Sequence, residues 1–79
     1  MIYITTGTTT TLPQANGILV QVNAALTGTI TVNDGGSARA VITNPTVGSS
    51  FRYYGFTGVP TVVTSTTCDV TISVLNTTR

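Results

Sequence analysis

The sequence predicts an all-β protein: a small, single-domain antiparallel β-sandwich of seven or eight short strands. Three observations predict it. Apolar and polar residues alternate with a period of two along several stretches. Turns rich in Gly, Pro and Asn separate those stretches at hairpin spacing. No segment carries a helical period. Residues 1–79 read as one domain, because the length leaves room for a single core.

Taken in order, Met1 to Thr5 alternates Ile2 and Ile4 with Tyr3 and Thr5, a short strand. Thr8 to Thr11 is too polar to hold itself against a core. Residues 1–12 are therefore expected as an N-terminal strand or as an extended arm supported by a neighbouring subunit. Pro13 to Gly17 has turn composition. Ile18, Val20 and Val22 share one face of the next strand, with Gln21 and Asn23 opposite. Leu19 is apolar on that supposedly wet face and hints at a second buried surface.

Gly28 to Ile42 is the organising hairpin, broken at Asp34-Gly35-Gly36. Asp-Gly suggests a two-residue loop, but that register sets Ile30 opposite Arg39. A Gly35-Gly36 loop sets Val32 opposite Arg39. A three-residue loop pairs Val32 with Ala38 and Ile30 with Ala40, keeping the core face apolar. That register is the expectation, and it sends Arg39, Val41 and Thr43 to the opposite face.

Asn44-Pro45 ends the hairpin's second strand. Phe51 to Phe56 is an aromatic strand, Thr57 to Pro60 a turn and Thr61 to Thr64 a short strand. The last strand sets Cys68, Val70, Ile72 and Val74 on one face and Asp69, Thr71 and Ser73 on the other. Asn76 to Arg79 is a polar tail. Its Asn-Thr-Thr triplet matches a glycosylation pattern, and we read it as coincidence in a threonine-rich chain.

The composition excludes much. Charged residues are 6% of the chain and the net charge is +1. With no basic stripe to neutralise phosphates, nucleic acid is not an expected partner. Threonine, about a quarter of the residues, builds the polar surface in place of charge, as suits the wet face of a strand. No apolar run reaches the ~20 residues of a membrane span, and Met1 to Ile4 lacks a signal peptide's basic start. Synthesis in a cytoplasm without membrane association is the expectation.

Catalysis is tested by elimination. The chain has no His, Lys or Glu, and its carboxylate side chains are Asp34 and Asp69. A Ser-His-Asp or Cys-His site lacks its base, and Schiff-base chemistry lacks its amine. A paired-carboxylate site would need two residues that already have structural explanations in a turn and on a strand. No enzyme activity, cofactor or metal site is expected. Cys68 continues an apolar face and reads as a small buried hydrophobe. A lone cysteine also rules out an internal disulfide. A core this small contributes ~3–5 kcal/mol, so oligomerisation is the expected reinforcement.

The segment 51–56 is the best contact surface, since aromatics and Arg are favoured at interfaces. One parity, Phe51 and Tyr53 or Tyr54 and Phe56, is expected in the core and the other at an interface. The candidate subunit or partner contacts are Arg39, Val41, Arg52, Tyr53, Tyr54 and Phe56.

With the strands placed, Gly28-Thr29-Ile30-Thr31-Val32-Asn33-Asp34-Gly35 resembles the strand-and-turn of small β-sandwich virion proteins of tailed bacteriophages. The similarity continues through the strand Ala38 to Ile42 and the segment Tyr54-Gly55-Phe56-Thr57-Gly58-Val59. It extends to Val62-Val63-Thr64 and Asp69 to Ile72, covering roughly 17–76. The resemblance implies a jelly-roll-like sandwich acting as a capsid cement or decoration protein. Such a protein is commonly a homotrimer that binds and stabilises the major capsid protein shell from outside. The alternative is a tail, fibre or carbohydrate-binding module using the aromatic segment 51–56.

Overall fold

The computed structural model describes residues 2–76. The polar tail after Asn76, with Arg79 and most of the glycosylation-like triplet, lies outside the described residues. Eight strands form: β1 (Ile2–Ile4), β2 (Thr9–Thr11), β3 (Gly17–Val22), β4 (Thr29–Asp34), β5 (Ser37–Thr43), β6 (Ser50–Tyr54), β7 (Pro60–Thr64) and β8 (Val70–Asn76). They make two four-stranded sheets, ordered β1-β8-β3-β6 and β2-β7-β4-β5. Every pairing is antiparallel.

The pairs β1–β8, β2–β7, β3–β6 and β4–β5 nest inside one another. This is one long hairpin, with its tip at Gly35-Gly36, rolled up so that its strands fall alternately into two sheets. That topology is a jelly roll, and the expected antiparallel β-sandwich is what the chain adopts.

The alternation read from the sequence fills the space between the sheets. Ile18, Val20 and Val22 of β3 meet Ile30 and Val32 of β4, Val62 of β7, and Val70 and Ile72 of β8. Leu12, Leu26 and Phe56, from the connections, close the ends. Thr71 departs from the expected pattern. It is buried although it faces away from the core, and its hydroxyl is satisfied there by accepting from Asn23 Nδ2 at 2.8 Å.

Thr9–Thr11 is a strand paired with β7 of its own chain. Its low apolar content is offset by hydrogen bonds around Thr64, a residue that is itself buried. Thr64 N donates to Thr8 O at 2.9 Å, Thr8 N to Thr64 Oγ1 at 3.1 Å, and that hydroxyl to Thr6 O at 2.8 Å. Leu12 N donates to Pro60 O at 2.9 Å, and the Leu12 side chain enters the core.

The hairpin register differs from the expected three-residue loop. Asp34 pairs with Ser37 across Gly35-Gly36, whose φ values are +64° and +112°. Positive φ at both central positions is what a two-residue type I′ loop demands. Continued unbroken, this register would set Val32 opposite Arg39. Instead the ladder shifts between Val32 and Asn33, so that Asn33 faces Ala38 and Val32 faces Ala40. Arg39 is the extra residue of a β-bulge. The bulge removes the charge from the ladder, as the expected three-residue loop would have done.

Candidate functional site

The bulge aims Arg39 across the open end of the sandwich, from the edge of one sheet toward the end of β6 in the other. Its guanidinium donates to the carbonyls of Tyr54 and, at 3.5 Å, Gly55. The same group stands over the Phe56 ring, 5.1 Å from its centroid, within cation–π range. Arg39 also faces Asp34 at 3.6 Å. Arg39 thus sits among its own chain's groups and ties the two sheets together.

Asp34 completes this clasp. Its carboxylate accepts from Gly58 N at 2.6 Å and Thr57 N at 3.2 Å. Gly35 N donates to Val59 O at 3.1 Å. The hairpin tip therefore grips the connection between β6 and β7 by backbone groups. The backbone N–H groups of Gly58 and Thr57, with a smaller contribution from Arg39, hold the Asp34 carboxyl below its ordinary value of 3.8 against the opposing effect of burial.

A lowered folded-state pKa means that stability is present above the ordinary value. It is lost as pH falls through the lowered one. We expect the wild-type melting temperature to fall as pH drops from about 5 toward 2. Asp34→Asn should melt lower at neutral pH and show a weaker acid dependence. Thermal denaturation followed by circular dichroism at both ends of that range checks it.

The aromatic segment does not keep one parity. Phe51 and Tyr53 point inward and are half-buried, while Arg52 and Tyr54 point outward. Gly55, at φ +80°, then turns the chain, and Phe56 enters the core at 1% exposure. Phe56 is therefore a core residue and not a contact residue. The positive φ of Gly55 resets the alternation that was expected to place it beside Tyr54. Tyr53 packs against the core, and burial raises its phenol pKa. Tyr54 is 53% exposed, and its ring occupies the space over Gly17, where a Cβ would come within 2.6 Å of it.

Two outer faces remain. On the β1-β8-β3-β6 sheet, Ser73, Leu19 and Arg52 form one row, and Tyr3, Thr71, Gln21 and Ser50 form another. Leu19 is partly covered there. On the other sheet the rows are Thr9–Val63–Thr31–Val41, Thr11–Thr61–Asn33–Ala38 and Thr29–Thr43. No residue of these three rows is charged. Val41 is 59% exposed.

Asp69 stands at the opposite end of the sandwich from Asp34, hydrogen-bonded to Asn23 Nδ2 at 3.3 Å. Among the described residues, no three His, Cys, Asp or Glu side chains come together as metal ligands. Cys68 packs against the core, its thiol directed at Ile4 O and Thr6 O. Burial is the main cause raising its pKa, the reverse of what activates a cysteine nucleophile. Chemically, the arrangement joins backbone to backbone and presents one uncharged face, that of the β2-β7-β4-β5 sheet. Among known proteins, no family model matches the chain, and no curated protein or solved structure is similar enough to count as a match.

Proposed function

We propose that the chain is a structural bacteriophage virion protein of the capsid-decoration type, binding the outside of a major capsid protein shell and reinforcing it. It is made in the host cytoplasm, acts as a homo-oligomer, and performs no catalysis. The resemblance favours a trimer. The observation that carries this reading is the uncharged Thr, Val and Asn face of the β2-β7-β4-β5 sheet. A surface built from methyl and hydroxyl groups loses no charge hydration when covered, so it suits permanent packing. The jelly-roll topology is consistent with the reading, but such folds also serve lectins and cupins and do not choose a function.

A second reading rests on Tyr54. Its ring is exposed beside Arg52 and could serve a tail, fibre or carbohydrate-binding module as a stacking platform. With Phe56 in the core and Tyr53 half-buried, this segment's platform is reduced to one ring. Co-sedimentation with stripped capsid shells of the parent phage, run beside a glycan array, separates the two. Saturable binding to shells with a silent array is expected. Array hits that vanish in Tyr54→Ala, with no shell binding, would reject the capsid reading.

A further inference from the structure

We propose that a second copy of this chain adds to the free edge of β5, in antiparallel register about Ile42, making one continuous sheet across a two-fold axis. The proposal rests on the homo-oligomer of the function above, and neither on the trimer that the resemblance favours nor on the capsid part.

Four strands have a free edge: β1, β2, β5 and β6. β1 and β2 are three residues long, and short edges are a common protection against pairing. β6 has five residues. Gly55 N donates to Asn16 O and Val22 N to Ser49 O, so the residues of β6 that turn their backbone outward are Ser50, Arg52 and Tyr54. The Tyr54 carbonyl is already held by Arg39. A two-fold centred on Arg52 would set like charges directly opposite each other.

β5 is the longest of the four at seven residues, and it carries no Lys or Pro. Asn44 N donates to Gly28 O at 2.8 Å, which makes Gly28–Asn44 a hydrogen-bonded pair. Alternation along the ladder makes Ile30–Ile42 and Val32–Ala40 hydrogen-bonded as well. Val41 and Thr43 therefore direct their N–H and C=O groups away from β4. Thr29 agrees, since its backbone is turned toward β7 by Ser65 N donating to Thr29 O.

Centring a two-fold on Ile42 sets Val41 against Thr43 of the second copy, and Thr43 against its Val41. All the outward groups of these two residues are then paired, and an isologous contact closes as a dimer. The two four-stranded sheets become one of eight strands. Arg39 falls opposite Pro45 of the second copy, which places the two Arg39 Cα atoms roughly 20 Å apart along the strands. That is beyond the Debye length at physiological salt. The exposed Val41 side chain gains a Thr43 neighbour, and the bulge at Arg39 ends the pairing on one side. Charge, register and backbone direction are thus all self-complementary.

The test is sedimentation equilibrium of the full chain, from micromolar to millimolar, with two variants. Val41→Pro deletes an outward N–H that the monomer does not use, a position where an edge strand tolerates proline. Val41→Lys places a charge at the edge. A reversible wild-type dimer is expected. Each variant should raise its dissociation constant by roughly tenfold or more, with unchanged circular dichroism, and with an unchanged melting temperature at concentrations where the wild type is monomeric. A wild type that stays monomeric overturns the proposal. So does a dimer or trimer that both folded variants form equally well. None of these readouts involves a capsid, so failure here is distinguishable from failure of the capsid reading.

Discussion

Phe56→Ala is expected to abolish cooperative folding. Phe56 is the largest of the fully buried side chains and is 1% exposed. It lies beyond the end of β6, under Arg39, where it closes the core at the hairpin-tip end of the sandwich. Truncating a buried phenylalanine to alanine costs about 3–5 kcal/mol. A single core in a chain this short supplies about as much in total. The loss also takes away the ring beneath the Arg39 guanidinium, so the clasp weakens with the core. Urea titration followed by far-ultraviolet circular dichroism should show a sigmoidal transition for the wild type and none for the variant. A variant that unfolds cooperatively near the wild-type midpoint would show that Phe56 is peripheral.

Gly58→Ala is expected to produce the second-largest effect, through the backbone. A Cβ at Gly58 would lie 2.7 Å from Gly35 Cα, 3.0 Å from Gly35 N and 3.1 Å from Asp34 Oδ1. Two of those atoms are backbone and cannot rotate away. The hairpin tip must lift, lengthening the 2.6 Å bond from Gly58 N to Asp34 Oδ1. Overpacking of this kind costs about 1–3 kcal/mol. The same titration should show a lower midpoint with the fold retained. An unchanged midpoint would mean that the tip does not seat on this loop.

The strands and their buried faces were legible because a period of two is a local property. Ile18, Val20 and Val22, and likewise Val70 and Ile72, alternate inward as their spacing predicts. The rolled topology also rests on a legible feature, the glycine pair at the tip of the central hairpin. Long-range adjustments were not legible. The bulge at Arg39 changes the register by one residue, and what fixes it is a partner fifteen residues away in Tyr54. The fate of Phe56 turns on the φ of Gly55, which alternation cannot anticipate. Asp34 read as an ordinary turn residue because its acceptors' partners, Thr57 and Gly58, lie in another connection. Glycines on both sides of Phe56-Thr57 were the available signal that this connection approaches another backbone closely.

The candidate contact residues divide along the same lines. Val41, Arg52 and Tyr54 depend only on strand parity and stand on the surface. Arg39, Tyr53 and Phe56 depend on a bulge, on packing and on a turn. They serve the domain's own integrity: Arg39 as a clasp, Tyr53 and Phe56 as packing. A protein with 6% charged residues has few charged handles for binding a soluble ligand. Among the described residues it presents one uncharged sheet face and the free edge of β5, the two surfaces that the proposals assign to protein partners.

The central claim is that this chain works by covering and being covered, on the outside of a capsid. An electron cryo-microscopy reconstruction of the phage particle to which the proposal assigns this chain tests that claim most directly. The account predicts density for an eight-stranded roll on the outer capsid surface, with the β2-β7-β4-β5 face or the β5 edge occluded by neighbouring protein. A bare shell, with this domain at the tip of a tail fibre and Tyr54 open to solvent, would contradict it.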